Sequence, residues 1–194
     1  HHQFFKSMTR LLVILWMTFL LPYGWAQENI NPYDVLVNIT LVENQFHIQA
    51  SYAVPINLCT AYAYITDYEG SKNIPGIIEA KVTSRSGNRV RVYRVIEEQI
   101  LFFPIEMKST VEYVEFPNQL VFEQISGDLR LYKGSWQLIG DKTKVTFQYD
   151  SQVQPHSLIP NAVIEYFMKN SIRGRFESMA QRASQYNPAD KNGC

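Results

Sequence analysis

Cysteine is scarce in this chain. There are two among 194 residues, Cys59 and Cys194, with no CxxC pair and no Cys/His spacing of a zinc site. That excludes a disulfide-dense scaffold and a structural zinc module. Charge of either sign is not in excess: Lys+Arg and Asp+Glu both number 18, and the formal net charge is zero. Nothing in this balance points to nucleic acid as a partner or to an anionic membrane surface. The chain has no Gly-x-Ser-x-Gly, no His-Glu-x-x-His and no phosphate loop, so the common hydrolase, metalloprotease and nucleotide-binding signatures are missing. The adjacent carboxylates Glu97 and Glu98 point to opposite faces of a strand and cannot act as a dyad. The expectation is therefore no metal and no cofactor.

Long apolar runs are also few. Residues 11–21 (LLVILWMTFLL) are apolar except for Thr18, preceded by Lys6 and Arg10 and followed by Gly24, Trp25 and Ala26. This is the order of a secretory signal peptide, and the run is short for a bilayer span. Cleavage after Ala26 would leave a chain starting at Gln27. An uncleaved anchor that adds Phe4 and Phe5 is the alternative. Export places the protein in the periplasm of a Gram-negative host and otherwise outside the cell, in an oxidising compartment. Cys59 lies in an apolar segment and Cys194 is the last residue. They read as one buried thiol and one free tail thiol, since a bridge needs the tail to fold back.

What the chain does have is alternation. After a lead-in, residues 27–44, in which Val35, Val37, Ile39 and Leu41 suggest a short added strand, Phe46, Ile48, Ala50, Tyr52 and Val54 alternate with polar residues. That is a strand with one buried face. Pro55 suits a first helical turn, and Leu58, Cys59, Tyr62 and Ile65 give a short helical stripe. A second helical turn precedes Pro75 and Gly76. Six strands follow, over residues 78–84, 89–98, 100–116, 120–125, 131–139 and 143–153, divided by turn signals such as Ser86-Gly87-Asn88 and Gly127-Asp128. Pro104 marks an edge or a bulge near the start of the third of these. A long helix spans 160–185, with Ile164, Met168, Ile172, Phe176, Met179 and Ala183 at steps of three or four. The fold class is α+β: a curved seven-stranded antiparallel sheet wrapped around a long C-terminal helix, with two short helices after the first strand.

This order, together with residues 61–76 (AYAYITDYEGSKNIPG), residues 122–138 (FEQISGDLRLYKGSWQL), Thr143-Lys144-Val145 and the amphipathic last helix, resembles the START/Bet v1-like (SRPBCC) superfamily. Within it the chain is most similar to the coenzyme Q-binding and polyketide cyclase/dehydrase-like branch. The resemblance covers about residues 45–184 and implies a helix-grip ligand-binding domain over 45–186, with a flexible tail at 187–194. It also implies a pocket for a hydrophobic small molecule or lipid: a quinone, isoprenoid, acyl chain, sterol-like compound or polyketide. Many relatives bind and carry such molecules; others cyclise or dehydrate polyketides, and that enzyme is the alternative. The matching motifs are structural: Asp67 ties a helix end, Gly127 makes a turn, and Gly134 with Trp136 packs a curved sheet.

Candidate site residues follow from the faces. Val90, Val92, Arg94 and Ile96 share one side of a strand. If that side is inward, Arg94 enters the cavity, where it holds a carboxylate or polar head group or pairs with a buried acid such as Glu123. Glu123 lies between Val121 and Ile125, an acid on an apolar face. Met107, Tyr113, Tyr132, Trp136, Phe147 and Tyr149 stand in strands whose faces line the cavity or form ordinary sheet core. Ile164, Phe167, Met168, Ile172 and Phe176 should roof it, with Gly174 in mid-helix marking a close approach, a bend or nothing. His156, in the loop before the long helix, flanks the mouth. Arg94, Tyr149 and His156 are the residues an enzyme would use. His47 reads as solvated. Arg85, Arg89 and Arg91 form a basic patch on a hairpin, either a solvated edge or a transient membrane contact. Oligomeric state is left open.

Overall fold

The computed structural model describes residues 30–188 and Cys194. The expected signal segment, residues 27–29 of the lead-in and residues 189–193 of the expected tail lie outside the described residues.

The alternation at 46–54 sets the frame. Phe46, Ile48, Ala50, Tyr52 and Val54 are all buried and form the inner face of β2 (Gln45–Val54). The strand order is β1 (Leu36–Val42), β2, β8 (Val145–Gln154), β7 (Leu131–Gly140), β6 (Gln119–Gly127), β5 (Phe103–Phe116), β4 (Arg89–Ile100), β3 (Ile77–Ser86). Every pairing is antiparallel. The sheet thus has eight strands, one more than expected. The extra one is β1, from the lead-in, which pairs with β2 from Leu36 opposite Ser51 to Val42 opposite Gln45. Val35 and Ile39 are buried in the core, so this segment belongs to the fold.

Two short helical pieces follow β2. α1 (Leu58–Ile65) begins at Asn57, whose side-chain oxygen accepts from the Thr60 amide at 2.8 Å. A 3₁₀ turn (Glu69–Asn73) comes next. Asp67 ties the two together by accepting from the Gly70 amide at 3.3 Å. β4 runs two residues further than the pattern indicated, so Ile100 ends β4 instead of opening β5, and Leu101 and Phe102 make the turn. Pro104 sits where β5 has no β6 neighbour, because that ladder starts only at Ser109 opposite Gly127. Its missing donor therefore costs no pairing on that side.

Gly127 and Gly134 have steric work. Gly127 has φ +149, and a Cβ there would lie 2.5 Å from the Lys108 carbonyl oxygen. At Gly134 a Cβ would meet the Asp150 carbonyl oxygen at 2.1 Å, so only glycine lets β7 lie this close to β8. At Gly174 an added Cβ would meet nothing within 4 Å, so no close approach explains that residue.

α2 (Asn161–Ser184) crosses the concave side and buries Ile164, Ile172, Phe176, Ala180 and Ala183. These join β1, β2 and β8 in one apolar cluster, while Tyr68, Val90, Val92, Val111, Tyr113, Leu120 and Phe122 form a second under the 3₁₀ turn. No described helix is long and apolar enough to cross a membrane.

The two cysteines are not free. Cys59 of α1 is bonded to Cys194, their Cα atoms 5.8 Å apart. The chain leaving α2 folds back on α1: the Tyr186 hydroxyl donates to Asp67 Oδ2 at 3.3 Å, and its ring meets Tyr64 edge-on at 5.5 Å. That return brings the last residue to α1, a contact 135 residues apart in sequence. Closing so long a loop restricts the unfolded chain. Cys59→Ser should therefore lower unfolding stability by about 2–5 kcal/mol, and dithiothreitol should do the same to the wild type. Denaturant melts check both, and equal midpoints with and without reductant would contradict the bridge.

Candidate functional site

A long helix over a twisted sheet leaves space between them. Here the space is a cavity of about 980 Å³, at the upper end of the usual range for small-molecule sites. Ile48, Ile96, Ile100, Ile105, Met107 and Val111 supply its apolar lining from the sheet; Ile164, Met168, Ile172, Phe176 and Met179 supply it from α2.

Arg94 interrupts this lining. Val90 and Val92, four and two residues before it, are fully buried, while Arg89 and Arg91 face out, so the strand's period turns Arg94 inward. Its Nε donates to Ser71 Oγ at 2.9 Å and its Nη1 donates to the Tyr113 hydroxyl, with Cζ 5.3 Å from that ring's centre. Among the described residues no carboxylate lies within 4.0 Å of it. A half-buried guanidinium that, among the described residues, has two hydroxyls and a tyrosine ring as partners but no carboxylate is an incompletely satisfied charge, and an acidic or oxygen-rich ligand group would complete it.

Glu123 is not that partner. It is exposed on the outer face of β6, opposite Lys133 of β7 and Glu112 of β5. Leu120 and Phe122 are the buried, inward residues of that strand. Val121 and Ile125, which made Glu123's face look like core, are exposed apolar residues on the outside.

Tyr132 and Tyr149 also line the cavity, their hydroxyls 3.2 Å apart. Burial raises the pKa of both, and for Tyr132 the neighbouring Tyr149 adds to it. They are neutral donors at physiological pH, not bases. Tyr52 and Tyr64 reach the same space; their hydroxyl oxygens are buried without a hydrogen-bond partner among the described residues, and burial raises their pKa values too.

Of the other expected residues, Met107, Tyr113, Trp136, His156, Ile164, Met168 and Ile172 line the cavity. Phe147 and Phe167 do not. Phe147 is fully buried behind the lining, stacked on Tyr52 at 4.7 Å. Phe167 lies one helical step from the Ile164–Met168–Ile172 stripe and packs beside Tyr166 at 5.3 Å. His156 stands in the loop between β8 and α2 with Pro155 and Ser157. His47 is not merely solvated; its Nε2 lies 3.1 Å from Asp150 Oδ2 on the outer face.

One feature of the wall was not legible in the sequence. Arg175 of α2 pairs with Glu98 of β4 at 2.6 Å, both less than a fifth exposed, and its Nε donates to the Pro75 carbonyl at 3.0 Å. This latch ties the helix to the β3–β4 side of the sheet. The available signal was that Glu98 shares Arg94's face, four residues on. The basic hairpin patch, by contrast, is already paired: Arg85 with Glu115 at 2.5 Å, Arg89 and Arg91 with Glu112 at 2.8 and 3.2 Å.

Comparison with known families matches residues 54–180 to the polyketide cyclase/dehydrase and lipid transport family. The chain belongs to that family. Its fold recurs in solved structures. An aromatase/cyclase, Zhui, from Streptomyces sp. R1128 superposes with a TM-score of 0.60 at 9% identity, over 76% of this chain and 97% of that one. A START superfamily protein from Mycobacterium smegmatis gives 0.58 at 14%, over 72% and 97%. A STAR-related lipid transfer protein from Xanthomonas axonopodis gives 0.62 at 10%, over 79% and 99%. At these identities the likeness is one of fold, and it bears out the helix-grip expectation. Among curated proteins nothing matches.

The tyrosines make a pH prediction. The fold favours neutral phenols at Tyr132 and Tyr149, so the unfolded chain ionises first, near pH 10. Above that pH the unfolded state binds fewer protons than the native state, and stability falls as pH rises; below it these groups leave stability unchanged. Denaturation midpoints should drop above about pH 10, with the last phenolate absorbance appearing only on unfolding. All 12 tyrosines titrating together in the folded protein would contradict this.

Proposed function

We propose that this domain binds and carries an amphipathic hydrophobic molecule, with its apolar body between α2 and the sheet and its oxygen-rich or anionic head at Arg94. Quinones, isoprenoids, acyl chains and polyketides all have this form. One observation carries the reading: a cavity of about 980 Å³ lined mostly by apolar side chains, in which, among the described residues, the Arg94 guanidinium has no carboxylate partner. Membership of a family that includes lipid transport and likeness in fold to a lipid transfer protein support it.

A second reading, a polyketide cyclase or dehydratase, draws on the same polar group. Arg94 and the neutral phenols of Tyr132 and Tyr149 suit holding a ketone oxygen, with His156 at the mouth to move a proton. The likeness in fold to an aromatase/cyclase supports it. For location we infer export, to the periplasm in a Gram-negative host. The Cys59–Cys194 bridge supports an oxidising compartment, as does the apolar segment at 11–21 behind Lys6 and Arg10.

The test is native mass spectrometry of protein purified from its own host, with organic extraction of whatever is released. A hydrophobic molecule at near one-to-one stoichiometry is expected. Arg94→Met should weaken an acid-headed ligand by about ten- to a hundredfold, the loss of a charge-assisted hydrogen bond. A protein that is empty, and stays empty when offered such compounds, would overturn the carrier reading.

A further inference from the structure

The β4–β5 hairpin carries large apolar side chains where a turn is expected to be polar. Leu101 and Phe102 are the two turn residues and Phe103 follows; Phe102 is 94% and Phe103 66% exposed. Leu101 is at φ +59, a conformation that suits Asn or Gly and is uncommon for a bulky residue. The hairpin thus forgoes ordinary turn chemistry and presents two aromatic rings and a leucine to water. It also projects, because β6 accompanies β5 only from Ser109 onward. A second loop, between β8 and α2, exposes Leu158 completely.

Both tips stand at one mouth of the cavity. Ile100 and Ile105, at the base of the hairpin, line it, as do Pro155, His156 and Ser157 just before Leu158. Ile100, Ile105 and Ile159 pack in one apolar cluster with Ile164. Apolar surface therefore runs from the tips into the interior, and the exposed part is of the kind that marks an interaction site.

We propose that Leu101, Phe102, Phe103 and Leu158 dock this mouth on the surface of a lipid bilayer, so that a hydrophobic ligand passes between membrane and cavity without crossing water. The purpose rests on the ligand-binding reading above; the docking itself does not. Charge selects the kind of surface. Behind the tip Glu97 and Glu106 face each other across β4 and β5, while Arg89 and Arg91 lie at the far end of β4 and Arg85 beside them on β3, each paired with a glutamate. Docking therefore runs on apolar insertion, not on attraction to acidic lipid.

The test is flotation with phosphatidylcholine vesicles. It uses the chain from Gln27, which holds all eight strands, both helices and the disulfide, so that the apolar segment at 11–21 contributes nothing. The wild type should float with the vesicles, equally at low and high salt. The triple variant Phe102→Ser, Phe103→Ser, Leu158→Ser should partition about tenfold less or worse. Uptake of a fluorescent acyl probe in solution should be the same for both, which shows that the variant is folded. Failure of the wild type to float overturns the proposal, as does equal flotation of the variant. A wild-type dimer that the variant abolishes, without flotation, assigns the tips to self-association and overturns it too. Flotation without acyl uptake by either protein sustains docking and removes the ligand reading instead.

Discussion

A helix of 24 residues cannot follow the twist of the sheet it packs on. This mismatch governs the rest of the structure. α2 packs Ile164, Ile172, Phe176, Ala180 and Ala183 into one cluster with β1, β2 and β8, while Ile96, Met107 and Val111 of β4 and β5 line a cavity beneath it. The gap persists because other contacts hold the helix off the sheet. Tyr52, Phe147, Trp136 and Phe176 form a wedge of rings with centres 4.7–6.5 Å apart. Arg175, held by Glu98 and the Pro75 carbonyl, fixes the helix from the open side. The return of the tail to α1 through Tyr186 and Cys194 fixes its far end. The cavity is thus a consequence of how the helix is tied.

Polar groups interrupt the apolar lining at defined places, and Glu106, Arg130 and Arg182 stand with Arg94 around the cavity. Arg94 is supported by Ser71 of the 3₁₀ turn and Tyr113 of β5, so a non-repetitive piece of chain and the sheet orient it together. The phenols of Tyr132 and Tyr149 are kept neutral by burial. A site of this kind reads the shape of an apolar body and the position of a few oxygen atoms. That is why one fold serves both carriage and ring closure of hydrophobic chains, and why fold alone does not choose between them.

Much of this is written in periodicity. The alternation at 46–54 and the three-and-four spacing at 164–183 locate the central strand and the helix, and Val90 and Val92 place Arg94 inward. The reading fails where both faces of a strand are apolar. On β6, Val121 and Ile125 are as apolar as Leu120 and Phe122, so the face of Glu123 was undecidable without a neighbour. Phe147 and Phe167 fail for another reason. Periodicity tells inside from outside, but it does not separate a residue that lines a void from one packed behind it. The Cys59–Cys194 bridge and the Arg175–Glu98 latch join residues far apart in the chain, and no local pattern encodes them. The hairpin tip read as strand, since Leu101, Phe102 and Phe103 lack the Gly or Asn that marks a turn.

The central claim, that a hydrophobic chain occupies the space under α2, has a built-in reporter. Trp136 lines the cavity, and it is the single tryptophan of the chain after Trp25. Its fluorescence, in protein starting at Gln27, can be titrated with a fatty acid brominated along its acyl chain. Saturable quenching at one equivalent, reversed by the unbrominated acid, is the result this account predicts. Fluorescence that is unchanged, or that falls only in proportion to quencher without saturating, would contradict it.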